Sequence, residues 1–562
     1  MSEEDLRRSY DDAETTEACP AQVLGHNAGI IYYIAASGQM RGVSASQHTE
    51  AQVEFLFGGD VGWLETAFPL TDEQRKRSRV GYNLPDVRAW LFQEAHKAGI
   101  IDPDRDVRGP GVWRDDRGGL IVHCGDKVLI DSAWRAAGFK DGVMIYPAAR
   151  PEPRPAPEPC PARAAGELLG FLDSWNWRSP PSPAGSLAGR LWLGWAASAY
   201  VAGALQYRPH ILISGPRGTG KNALNDLIQA LFGSSLLRAA SPSEAGIRDA
   251  LAGAARPVTV NEVEHDAHNN RAQQLVELAR LGSSEGEGLI YRSSPEGRAR
   301  STVIRACFYF SAILYPVMKE QDLSRFTVLD LAPLETVDEE SAERVRAGIA
   351  GFAEMAPGLR ARMIYGFDRL LLNLDVFRQA LIAEGADSRQ CDQFGTLLAA
   401  AETLLSDEAA TAGHAELLAG TLMPSQLVPS EDEADHVQAA YHLQTFPIEV
   451  VDFDRTRERQ PIGEVIAEEL KASNGFMKKV LQNHGLAIKA EDGVKYLVIA
   501  NQHHGLDQIF HGTRWRNRVW AQAFARFPGA TKSAKAVYFG GVTAKGTWVP
   551  VGSLPPLSDP DK

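Results

Sequence analysis

Short apolar runs and longer helical stripes take turns along this chain, and their order divides it into parts. Runs such as IIYYIA (Ile30–Ala35) and LIVHCGDKVLI (Leu120–Ile130) predict strands, while VRAWLFQEAHKAG between them has the apolar spacing of an amphipathic helix. Together they predict a mixed α/β N-terminal domain over residues 1–146. The prolines of PAARPEPRPAPEPCPARA (Pro147–Ala164) remove backbone donors and favour extended polyproline conformation, so 147–164 is expected to be a linker. An uncharged apolar run, Leu191–Leu205, falls short of the roughly 20 residues that a membrane-crossing helix needs and predicts a buried helix instead. HILISG (His210–Gly215), PVTVN (Pro257–Asn261), IRACFYFSAI (Ile304–Ile313) and the run after Arg325 then predict buried strands, and NALNDLIQALFG predicts a helix. GLIYRSSPEGRARSTVIRA predicts a β-hairpin that turns at Pro295–Gly297. Helical periodicity follows until MPSQLVPSEDEAD (Met423–Asp435), whose two prolines and acidic cluster interrupt it. The expected second domain is therefore 165–422, closed by an acidic linker at 423–435.

In the last stretch, 436–562, IGEVIAEEL and FMKKVLQNHGL have helical spacing, and AIKAEDGVKYLVIA reads as two strands around an Asp-Gly turn. Helix, helix, hairpin is the order of a winged helix. TRWRNRVWAQAFARF is expected to be helical, with Trp520, Phe524 and Phe527 as a core-facing stripe and Arg514, Arg518 and Arg526 on its other faces.

Candidate chemistry is concentrated at GPRGTGKN. Gly215, Pro216, Arg217, Gly218, Thr219, Gly220, Lys221 and Asn222 follow a predicted buried strand and precede a predicted helix. A phosphate-cradling loop requires that context: loop amides and the helix N-terminus aim partial positive charge at phosphate oxygens, and a lysine bridges the β- and γ-phosphates. The pattern departs at Asn222, where a hydroxyl usually ligates Mg²⁺, and again at Asn261-Glu262, where Asp-Glu is expected. Amide oxygens at Asn222 and Asn261 can still bind the metal, and Glu262 is suited to orient and polarise an attacking water. A site that binds nucleotide and turns over little is the other reading. Ser311, at a predicted strand end, is either a γ-phosphate sensor or a turn residue. Arg325 is either a finger reaching a neighbouring subunit's γ-phosphate or a surface ion-pair partner. Arg292, Arg298 and Arg300 on the hairpin are either contacts for a phosphate backbone or a solvated face.

A chain of 562 residues exceeds a single hydrophobic core, and 44% hydrophobic with 23% charged residues excludes wholesale disorder and a membrane class. The start, MSEEDLRRSYDD, has no apolar core behind a basic region, so a cytoplasmic protein with no membrane association is expected. Five scattered cysteines without metal-ligand spacing read as reduced thiols. The net charge of −13 does not exclude nucleic acid, because the segment from Gln508 to Leu557 holds seven Lys/Arg and no Asp or Glu.

The sequence of P-loop, Asn-Glu strand, basic hairpin, apolar strand and SRF motif, over about Leu191 to Leu331, resembles the AAA+ helicase modules of phage and mobile-element replication proteins. These are akin to superfamily 3 and minichromosome-maintenance-like helicases. LGHNAGIIYYIA with VRGPGVW, and IANQHHGLDQIFHGTRW, are similar to regions that accompany such modules in prophage primase-helicase-type proteins. The resemblance implies an α/β chain with a P-loop AAA+ ATPase core, using ATP and Mg²⁺ and encircling DNA as a homo-hexamer. It implies Lys221 and Glu262 acting in cis and Arg325 in trans, and a primase or polymerase as partner. No second cluster of carboxylates supports primase chemistry in the first 150 residues, so the expectation is a helicase without primase. The alternative is an AAA+ initiator or scaffold that binds DNA and nucleotide without unwinding.

Overall fold

The computed structural model describes residues 19–556 apart from 179–180, 183–184, 240–241, 252, 262–270, 285–288, 294–298, 314–323, 335–337, 427–434, 452–456, 473–474, 492, 514, 517 and 533–535. The chain divides into two compact units, Met1–Ser425 and Gln426–Lys562.

In the first unit, an antiparallel meander of β1 (Gln22–Asn27), β2 (Ile30–Ile34) and β3 (Met40–Ser44) is followed by the helix α1 (Leu84–Ala98), which packs on β1. A second antiparallel meander, β4 (Gly111–Arg114), β5 (Leu120–His123), β6 (Lys127–Ile130) and β7 (Ala133–Ala136), comes next. The VRGPGVW segment joins this meander to the chain around Ala255. Gly109 N donates to Gly253 O at 2.5 Å and Ala255 N to Pro110 O at 2.9 Å. A β-carbon on Gly111 would lie 2.8 Å from that of Ala255. Residues 147–160 form neither helix nor strand, and they are stitched to a long helix described below: Ala156 N donates to Pro357 O at 2.9 Å and Cys160 N to Gly358 O at 3.2 Å.

The apolar run at 191–205 is buried, with helix α2 (Leu187–Tyr200) covered on all sides and a short 3₁₀ turn at Ala202–Ala204 ending the run. Beyond it lies a five-stranded parallel sheet. Its members in chain order are β8 (His210–Ser214), β9 (Leu237–Ala239), β10 (Val258–Asn261), β11 (Phe308–Ala312) and β12 (Phe326–Asp330), and their order in space is β9-β10-β11-β8-β12. The β8 residues His210–Ile213, and β11 throughout, are buried, as expected of strands covered on both faces. Helix α3 (Lys221–Phe232) follows β8 and helix α4 (Arg271–Gly282) follows β10. Four helices then run from α5 (Glu339–Tyr365) through α6 (Phe367–Ala383) and α7 (Ser388–Leu405) to α8 (Ala412–Gln426). The last continues through Pro424, so the helical stretch ends at Gln426 and not at Met423.

In the second unit the expected order is observed: helices α9 (Ile462–Ala472) and α10 (Phe476–Asn483), then the antiparallel pair β13 (Leu486–Glu491) and β14 (Val494–Ala500). The aromatic stripe is also buried, with Trp520 and Phe524 at 0% exposure and Phe527 at 4%. The helix expected over TRWRNRVWAQAFARF is much shorter, however. Only α11 (Val519–Phe524) forms, because Arg518 before it adopts a left-handed backbone conformation at φ 69°, which no helix can pass through.

Two buried histidines make the first unit acid-sensitive. His210 Nδ1 accepts from Phe308 N at 3.2 Å and its Nε2–H donates to Ala279 O at 2.6 Å. His123 Nδ1 accepts from Gly125 N at 3.0 Å and its Nε2–H donates to Pro147 O at 2.9 Å. Both rings are thus held neutral, and burial lowers their pKa values from 6.5 to about 3 and about 4 respectively. Below pH 6.5 the unfolded chain takes up these protons and the folded chain does not. Stability from this source is therefore full above that pH and is lost as pH falls toward 4, by up to about 1.4 kcal/mol per unit for each histidine. Urea unfolding of wild type and His123→Gln between pH 7 and pH 4.5 should give a shallower pH dependence in the variant. Parallel curves would contradict it.

Candidate nucleotide site and nucleic-acid interface

The parallel sheet brings together residues far apart in sequence by ending its strands along one edge. Register pairs Ser214 with both Ala312 and Asp330, and Asn261 with Ser311. From Ser214 the chain turns into the glycine loop and re-emerges as α3 at Lys221. Two glycines are dictated by space and conformation. A β-carbon on Gly215 would lie 2.8 Å from Leu331 O, and Gly220, at φ 83°, would place one 2.6 Å from Trp175 Nε1. Pro216, Arg217 and Gly218 are exposed at the loop's outer side, whereas Thr219 is buried and its hydroxyl donates to Pro216 O at 3.1 Å. Lys221 Nζ donates to the carbonyls of Gly215 and Pro216, the latter at 2.8 Å. The ammonium thus folds over its own loop, close to where a phosphate chain would lie. Asn222 is exposed in the first turn of α3.

Asn261 and Ser311 meet at the same edge, where the Ser311 hydroxyl donates to Asn261 Oδ1 at 3.5 Å. Glu262 lies outside the described residues. Arg325 is not part of this edge. It precedes the first residue of β12, five residues from Asp330 and so roughly 16 Å away at about 3.3 Å per residue. Its side chain is 5% exposed and Nε donates to Ser283 Oγ at 3.2 Å.

One wall of the loop is absent from the sequence-based expectation. Trp175 is buried and its indole N–H donates to Gly220 O at 3.3 Å. The strip around it is tied to the end of β12: Arg178 N donates to Asp330 O at 2.8 Å and Ala332 N to Asn176 O at 2.8 Å. Two tryptophans in a polar stretch, SWNWR, after an amphipathic helix are the available signal. Asp330, exposed at the edge beside Ser214, is likewise an addition.

Two strands, Leu289–Ser293 and Ala299–Val303, form the expected hairpin, and their register places Arg292 directly opposite Arg300. Arg298 lies outside the described residues, as does the turn. The base of the hairpin is braced by the N-terminal part of the unit: the short helix Pro103–Asp106 lies against the second hairpin strand. Arg108 and Arg305 each place a guanidinium carbon over the Trp113 ring, at 5.4 and 5.5 Å from its centroid.

In the second unit Arg518 is exposed but stands before α11, not on a face of it, and Arg526 follows the helix; Arg514 lies outside the described residues. No helix among the described residues is long and apolar enough to cross a membrane.

No protein-family profile matches the chain, and neither does any curated protein. Among solved structures it is similar to the apo C-terminal region of NrS-1, at 14% identity over 96% of this chain and 98% of that one, with a TM-score of 0.35. It is also similar to SCCmec type IV Cch, described as an active helicase, at 12% identity over 95% of this chain and 93% of that one, with a TM-score of 0.49.

Proposed function

We propose that this chain is an ATP-driven DNA helicase or translocase of the AAA+ type, acting as a homo-hexameric ring. The supporting observation is continuity. The hairpin that pairs Arg292 with Arg300 leads, within eight residues of Val303, to Ser311 at the edge shared with the P-loop and Asn261. A change at the nucleotide edge thereby has a short covalent route to a basic hairpin, which is what a motor on a polyanion requires.

In this reading the loop amides from Arg217 to Asn222 cradle phosphates and Lys221 shifts from its carbonyls to the β- and γ-oxygens. Glu262 polarises the attacking water, Ser311 contacts the γ-phosphate and Arg325 serves a neighbouring copy, which requires its buried guanidinium to leave Ser283 Oγ and turn outward. Asn222 and Asn261 offer neutral amide oxygens, which suit a hard cation such as Mg²⁺; among the described residues Asn261 Oδ1 accepts a long bond from Ser311. The metal, when bound, would neutralise charge developing on the phosphates. Arg292, Arg298 and Arg300 contact the DNA backbone, as do Arg514 and Arg518 in a winged-helix-like C-terminal domain. A primase or polymerase partner in the cytoplasm completes the reading. A second reading, an initiator or scaffold that binds without unwinding, is favoured by the two amides, because neither carries the negative charge that holds a catalytic metal tightly.

An ATPase assay with and without single-stranded DNA separates the two. The motor gives turnover that DNA stimulates, that Glu262→Gln abolishes, and whose stimulation disappears when Arg292, Arg298 and Arg300 are replaced by alanine together. Absence of turnover in both conditions would favour the scaffold.

A further inference from the structure

We propose that the second unit carries a preformed phosphate-binding site in the surface concavity lined by Asp507, His511, Gly512, Arg516 and Arg518. Arg516 and Arg518 are both exposed, and among the described residues neither has a carboxylate within ion-pair distance, although Asp507 lies on the same wall. Two guanidiniums facing one carboxylate leave the concavity positive.

The backbone that presents these groups is fixed from below. Trp515, between the two halves of the turn, is 8% exposed and packs against Phe510 and His442 with ring centroids 6.2 and 5.9 Å away. Trp520 is fully buried and its indole N–H donates to Ala500 O at 3.0 Å. Successive turns are closed by Thr513 N to Phe510 O at 3.1 Å and Trp520 N to Trp515 O at 3.1 Å. Among the described residues Arg518 is one of four non-glycine residues with positive φ. A left-handed backbone costs a side-chain-bearing residue of order 1 kcal/mol, and glycine would avoid that cost. An arginine kept there, with an exposed head and no ion-pair partner among the described residues, is explained by an anion that the guanidinium meets. Arginine pairs make forked hydrogen bonds to phosphate oxygens, and the turn holds the two heads ready without ordering a loop on binding.

The ligand class is a phosphate ester, and its source is a nucleic-acid backbone. This deepens the reading of the C-terminal domain as DNA-binding, and rests on it for the source alone. It also replaces the helical presentation of Arg518 by a two-arginine clasp.

The test uses the full chain carrying Lys221→Ala, which silences the P-loop, with and without Arg516→Ala/Arg518→Gly. Glycine suits φ 69°, so the double variant should melt no lower than its parent. Anisotropy of labelled duplex DNA over a salt series should show the slope of log K against log salt shallower by about one, since the phosphate left without its clasp takes about 0.9 from the slope. Affinity at low salt should fall tenfold or more, and Arg516→Lys/Arg518→Lys should recover most of the slope. Equal slope and affinity in parent and double variant would overturn the site. If the parent binds no DNA, the DNA-binding reading fails by itself and inorganic pyrophosphate decides the site. Raised melting temperature in the parent but not in the double variant keeps a phosphate site with a free ligand. No shift in either overturns it.

Discussion

Lys221→Ala is expected to abolish ATP binding, lowering affinity by about two orders of magnitude or more. The lysine starts helix α3 and its ammonium already rests on the carbonyls of Gly215 and Pro216. A small rotation about its flexible stem carries it to phosphate oxygens. Each charge-assisted hydrogen bond removed there is worth about 1.5–3 kcal/mol, so two of them account for the effect. The fold should survive, because Thr219 still closes the loop through Pro216 O. Titration with a fluorescent ATP analogue checks this. Unchanged affinity would remove the P-loop assignment.

The second large effect is expected at Arg325→Ala, a loss of turnover of about 10³-fold or more with nucleotide affinity nearly retained, as for a finger supplied in trans. Mixing this variant with Glu262→Gln subunits should recover some activity at interfaces where each supplies what the other lacks. A control is needed, because Arg325 is buried and donates to Ser283 Oγ, so that removing it also breaks an internal hydrogen bond. Ser283→Ala breaks the same bond and leaves the guanidinium. Turnover should survive in Ser283→Ala and fail in Arg325→Ala. Equal losses, with no recovery on mixing, would make the arginine a structural residue of its own subunit.

Which features are legible in the sequence follows from how local their causes are. The strand, loop and helix from His210 to Phe232 can be read directly because apolar run, glycines and helical stripe are contiguous. The strands at Val258–Asn261 and Phe308–Ala312 carry a similar signal in their unbroken β-branched and aromatic runs. Burial of Trp520, Phe524 and Phe527 is also legible from spacing, yet the helix around them is shorter than the pattern predicts, since nothing in TRWRNR marks Arg518 as left-handed. The Trp175 wall and the pairing of VRGPGVW with Gly253–Ala255 are not legible, because each depends on a partner far along the chain. Strand order is likewise beyond reach: the insertion of β11 between β8 and β10 is a decision of packing, made by residues that look alike in any order.

The joint at VRGPGVW has a thermal consequence. Gly109 and Pro110 bond to the chain just before the Asn261 strand, and Gly203 would bring a β-carbon to 2.5 Å from Val112 O. Backbones at such separations cannot slide, and the Trp113 ring is clasped on the same patch by one arginine from either side of the joint. The N-terminal meander and the five-stranded parallel sheet therefore share one cooperative melting event. A fragment cut after the proline-rich stretch would begin life already missing part of its own core.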